Sequence, residues 1–122
     1  MSLILKHINT TQDEGFCHVA VAGEITTHDF QPAPRNPLAE LLGPGWSSFN
    51  LILDFDHVLN IDSSAVGWLI SCQKESRRSN GRLVIHSVQR SVRQILDILR
   101  IDKLIPIVAD AAEARALLTQ PR

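Results

Sequence analysis

The sequence predicts an α/β fold: a mixed, mostly parallel sheet begun by a β-hairpin and packed with helices. Two observations carry this. Two apolar segments with a short polar connection stand near the N-terminus, the arrangement of an antiparallel pair. Beyond residue 48, apolar runs of strand length alternate with segments whose apolar residues recur at helical spacing. Strands separated by helices are joined by right-handed crossovers and become parallel neighbours.

Residues 3–8 alternate loosely and read as the first strand. "TTQDEG", residues 10–15, is a run of turn-formers, and "FCHVAVAGEI" follows as the second strand. The next stretch holds four prolines within residues 32–44. Only residues 38–42 read as a short helix there, with Pro37 suited to a first helical position and Gly43 to a stop. "FNLILDF", residues 49–55, is a continuous apolar run, as in a strand buried on both faces. Residues 64–78 read as a helix with Ala65, Leu69 and Cys72 on one face, and Ser79-Asn80-Gly81 ends it. "RLVIHSV" is the next strand. Val92, Ile95, Leu96 and Leu99 then fall at i, i+3, i+4 and i+7, the clearest helical pattern in the chain. "LIPIV" reads as a short last strand. Asp110 and Glu113 form a capping-box-like start for a helix ending near Leu118.

The whole chain, residues 1–122, has the size of one domain, with residues 30–46 as a Pro-rich variable segment. A net charge of −1 creates no strong field for nucleic acid or anionic membranes. Cys17 and Cys72 lie inside predicted elements without metal-ligand spacing, as buried reduced thiols would. His7, His18, His28, His57 and His86 also lack ligand spacing, so neither a metal nor a cofactor is expected. "MSLILKHINT" lacks the basic start of a signal peptide, and no apolar run approaches the ~20 residues of a membrane span. These features lead us to expect a soluble, cytoplasmic protein without membrane insertion.

Two clusters look like chemistry. Asp54-x-Asp56 at the end of an apolar run resembles the first motif of haloacid-dehalogenase-type phosphatases, since alternate residues leaving a strand point to one side. That family needs a downstream lysine and an acidic metal-ligand segment, and only two strand–helix units follow here. A solvated strand end or a local turn cap is the expected role. Asp62-Ser63-Ser64 stands where a loop enters a helix, so one of the three is expected to be the N-cap. The surroundings lack the Gly-x-Ser-x-Gly spacing of a nucleophile elbow, and we expect no catalytic residue. A hydroxyl at this position sits in the positive partial charge of the helix N-terminus, where a phosphate would be tolerated.

The succession Asp62-Ser63-Ser64-Ala65-Val66-Gly67, then Gly81-Arg82-Leu83, then Arg100-Ile101-Asp102-Lys103-Leu104 resembles a STAS domain, the class containing anti-sigma-factor antagonists. The resemblance covers residues 49–118 and, more weakly, "VAVAGEI". It implies a non-catalytic partner-switching regulator of transcription. The partners it implies are an anti-sigma factor that is also an ATP-binding serine kinase, and a cognate phosphatase. By position, the phosphorylated residue is Ser63, with Asp62 before it and Ser64 beside it at the partner-binding corner. Glu24 and Thr26 fall in Gly23-Glu24-Ile25-Thr26, where the family has Gly-Glu-Leu-Asp, and Asp29 is a candidate for the missing acid. Ala65 stands where the family has Gly, and the Pro-rich segment replaces much of the usual first helix. Trp68, four residues after Ser64, is either core or an interface anchor. A monomer or weak dimer is expected. A constitutive interaction or scaffold module, with serines that only cap the helix, is the alternative.

Overall fold

The computed structural model describes residues 1–9 and 16–120, with side chains at residues 1–4 and 16–120; the predicted 10–15 turn lies outside the described residues. Strands β1 (Ser2–Asn9), β2 (Phe16–Ile25), β3 (Asn50–Ile61), β4 (Arg82–His86) and β5 (Ile107–Val108) form one sheet in sequential order. β1 is antiparallel to β2, and the remaining neighbours are parallel. Helices α1 (Pro37–Leu42), α2 (Ser63–Arg78), α3 (Arg90–Ile98) and α4 (Ala111–Leu118) complete the α/β arrangement that the apolar periodicities predict.

The two sheet faces are filled unequally. On one, Val19, Val21, Leu51, Leu53, Phe55, Leu83 and Ile85 pack against Leu38 of α1, Ala65, Leu69 and Cys72 of α2, and Val92 and Leu96 of α3. On the other, a smaller cluster joins Phe16, Ile52 and Val84 to Ala114 and Leu118 of α4. The alternation of side chains along each strand divides the two sets: Leu51 and Leu53 face one way, Ile52 the other.

Several boundaries differ from the sequence reading. β3 continues six residues past Phe55, to Ile61. Its second half hides from a hydrophobicity scan because Asp56, His57, Leu59 and Asn60 are exposed, while only Val58 and Ile61 turn inward. Register shifts between Ala20 and Ala22, and between Gly23 and Glu24, let β2 follow this extension. Asp54 and Asp56 therefore lie within a strand and not at its end, although Asp54 Oδ1 does accept the Asp56 N–H at 2.9 Å, as a local cap. β4 stops at His86 because Ser87 adopts a left-handed φ of +59°. The last strand keeps only two of its five predicted residues. α3 ends before Leu99, which is exposed, and Arg100 then turns with φ +58°. At α4, Asp110 Oδ1 accepts the Glu113 N–H at 2.9 Å, but Glu113 Oε2 reaches back to the N–H of Ala109 at 2.6 Å.

The Pro-rich segment is held down by its own side chains. Asn36 Oδ1 caps α1 by accepting the Leu38 N–H and also accepts the Trp68 indole N–H, each at 3.0 Å. Leu38 and Trp46 enter the core. Gly81 is required where α2 returns to β4: a Cβ there would collide with the carbonyl oxygen of Ser47 and lie 2.8 Å from that of Phe49.

Candidate functional site

The ends of β2 and β3 meet the start of α2 at one corner of the sheet. The Asp62 N–H donates to the carbonyl of Ile25 at 3.2 Å, which ties the two strand ends together. Asp62 is extended, with φ −110° and ψ −176°, and is the N-cap of α2: its Oδ1 accepts the Ala65 N–H at 3.1 Å. The other carboxylate oxygen, Oδ2, accepts from the Thr27 N–H at 3.0 Å and faces the Thr27 hydroxyl at 3.4 Å. One carboxylate thus satisfies a helix end and anchors the segment after β2.

The two serines occupy different situations. Ser64 is half-buried, and its Oγ lies 2.8 Å from Thr27 Oγ1 in a hydroxyl–hydroxyl bond. Ser63 is the first residue of α2 and is exposed. The structure therefore gives the cap to Asp62, an internal contact to Ser64, and solvent to Ser63. Thr27 is a corner residue that the sequence reading missed. Its partners lie 35 and 37 positions away, a separation at which no local motif signals contact.

The remaining candidates surround this corner. Glu24 is exposed near the end of β2. The Thr26 N–H donates to Asp29 Oδ2 at 2.8 Å and opens the 3-10 turn Thr27–Phe30. Asp29 Oδ1 also accepts from the N-terminal ammonium of Met1 at 2.8 Å. Burial pushes the Asp29 pKa up, but the hydrogen bonds from Met1 and Thr26, with the charges of Met1 and Arg35, hold it below the usual carboxylate range. Trp68 is buried in the core beneath the Pro-rich segment, its ring 5.5 Å from that of Phe30. A groove of about 570 Å³ runs beside Ser64, lined by Phe30, Pro34, Asn36, Trp68 and Ser71 among others. Ala65, which stands where the resemblance has Gly, is fully buried in the main core, so its methyl group contributes to packing.

This geometry, an acidic cap followed by one exposed and one tethered serine at a strand–helix corner, coincides with a match over most of the chain: a family model described as "STAS domain" fits residues 7–114. The chain belongs to the STAS domain family. The STAS fold is also that of its solved structural neighbours. A putative anti-sigma factor antagonist from Thermotoga maritima superposes with a TM-score of 0.66 at 19% identity, over 84% of this chain and 88% of that one. An anti-sigma-factor antagonist domain protein from Planctomyces limnophilus gives a TM-score of 0.71 at 17% identity, over 93% and 98%. SpoIIAA of Bacillus, in its phosphorylated form, gives 0.64 at 14% identity, over 95% and 99%. No curated protein matches by sequence. No helix among the described residues is long and apolar enough to cross a membrane.

Proposed function

We propose that this STAS domain is a non-catalytic partner-switching regulator of the anti-sigma-factor-antagonist kind, controlled by phosphorylation of Ser63. The observation that carries the reading is the division of labour at the start of α2. Asp62 already caps the helix and Ser64 already bonds Thr27, so the exposed Ser63 hydroxyl is left for chemistry with a second protein. A phosphate there adds about −1.5 to −2 charges. The first-turn N–H groups of α2 accommodate that charge, so the domain keeps its fold while a protein docked on the corner meets a hydrated dianion.

In this reading the partner is an anti-sigma factor that is itself an ATP-dependent serine kinase, and a phosphatase resets the switch. Asp62, Ser64, Glu24, Thr26, Asp29 and the groove over Trp68 form the docking rim around Ser63. The protein acts in the cytoplasm as a single domain, monomeric or weakly dimeric.

Phosphopeptide mass spectrometry of the protein from its native cells, combined with binding assays against the captured kinase, tests this. Phosphate on Ser63 is expected. Ser63→Ala should keep binding and lose labelling, and Ser63→Asp should weaken binding more than tenfold, about 1.4 kcal/mol. An unmodified Ser63 under several growth conditions, with Ser63→Asp binding like the parent, would identify a constitutive scaffold module instead.

A further inference from the structure

On the sheet face covered by α4, three titratable side chains from three adjacent strands meet at one point: His18 of β2, Asp54 of β3 and His86 of β4. One ligand-type atom from each lies within 4.8 Å of the other two. The register explains the meeting, since Ala20, Asp54 and His86 are in line across the sheet and His18 is two residues back on the same face. His18 and His86 are only 6% and 3% exposed, and Asp54 is half-buried. Their neighbours on this face, Phe16, Ile52 and Val84, are apolar.

We propose that His18, Asp54 and His86 form a binding site for a late first-row divalent cation, with Zn²⁺ the ion its donors suit. Two imidazoles and a carboxylate are a common three-ligand set for zinc. The two Nε2 atoms are 3.1 Å apart. Tetrahedral Zn–N bonds of about 2.0–2.1 Å place two nitrogen ligands roughly 3.3 Å from each other, so the rings stand close to coordinating distance. A proton shared between the rings accounts for that one contact. A divalent cation would engage all three groups at once, two imidazole nitrogens and a carboxylate oxygen.

The surroundings orient the donors. Ser87 Oγ donates to the carbonyl of Ala109 at 3.4 Å and lies 2.7 Å from His86 Nδ1. With Nδ1–H as the donor in that pair, the Nε2 lone pair of His86 points into the cluster, the arrangement an outer hydrogen bond gives zinc-binding histidines. Asp54 Oδ1 is steadied by the N–H of Asp56. Cys17 and Cys72 belong to the core on the opposite face, so no thiolate takes part. Bound there, the ion clasps β2, β3 and β4 on the face opposite α2, independently of events at Ser63.

The test is a Zn²⁺ titration of the tag-free full chain in competition with a fluorescent chelator, alongside the same titration of His18→Gln, His86→Gln, Asp54→Asn and a His57→Gln control. One Zn²⁺ per chain is expected, at a dissociation constant of about 1 μM or tighter. The two histidine variants should weaken binding by about 100-fold, Ser87→Ala, as a positioning change, by about tenfold, and His57→Gln not at all. Histidine-ring NMR of the unsubstituted protein covers the case of a variant that does not fold: Zn²⁺ should move the His18 and His86 resonances. No saturable binding, or a response confined to His28 and His57, would overturn the proposal.

Discussion

The corner at Ser63 and the cluster at His18, Asp54 and His86 lie on the same sheet but are built by opposite means. The corner is written almost entirely in consecutive residues, Asp62-Ser63-Ser64, and keeps the Ser63 hydroxyl in solvent. The cluster gathers residues from three strands and buries both imidazoles. At the corner, stability rests on Asp62 and Trp68 while the exposed hydroxyl bears no internal load, so charge on Ser63 and folding are separable. In the cluster the same atoms pack, hydrogen-bond and are offered to an ion, so no substitution changes one role alone.

The largest expected effect tests whether the corner depends on its support. Trp68→Ala should cost about 3–5 kcal/mol in chemical denaturation, because it removes a buried ring and leaves the Asn36 acceptor without its indole donor. Next comes the cluster: His86→Ala should cost about 2 kcal/mol even without metal, since it removes the hydrogen bonds to Ser87 and His18 together. A stability loss at His86 no larger than at exposed His57 would erase the contrast between the two regions. Asp62→Ala should cost about 1 kcal/mol through the lost cap and should also release Thr27, visible as faster amide exchange at Thr27 and Ala65. Smallest of all, Ser63→Asp should shift stability by less than about 0.5 kcal/mol while the partner affinity falls.

The pH dependence sharpens the same picture at the rim of the corner. Asp29 has a folded pKa below its unfolded value, so its bonds to Met1 and Thr26 contribute stability fully above the unfolded carboxylate value of about 3.9. That contribution fades as pH falls through the lower folded value. Asp29→Asn should therefore flatten the acid limb of a stability–pH curve and leave its shape near neutrality unchanged. The core thiols give no comparable signal near neutrality: burial pushes Cys17 up to about 11 and Cys72 up to about 12. Both should resist alkylation in the native state and react once the protein is unfolded.

The α/β class, the order of elements and the Asp-Ser-Ser helix start are legible in the sequence because they depend on neighbours within about one helical turn or one strand pleat. Periodicity identifies α2 and α3, and Pro37 and Gly43 bracket α1. The extension of β3 to Ile61 escapes such reading because its outward residues, Leu59 apart, are polar and its pairing with β2 passes through register shifts. Tertiary structure alone decides which of Asp62, Ser63 and Ser64 caps the helix, since Thr27 arrives from the end of β2 to take up Asp62 Oδ2 and Ser64. It alone decides that the Pro-rich segment is pinned through Asn36 and Trp68. The histidines at 18 and 86 lack metal-ligand spacing in the chain because the sheet, not the sequence interval, brings them to 3.1 Å. Local rules set what each segment becomes; strand register sets which distant side chains share a face, and it follows from how the whole core packs.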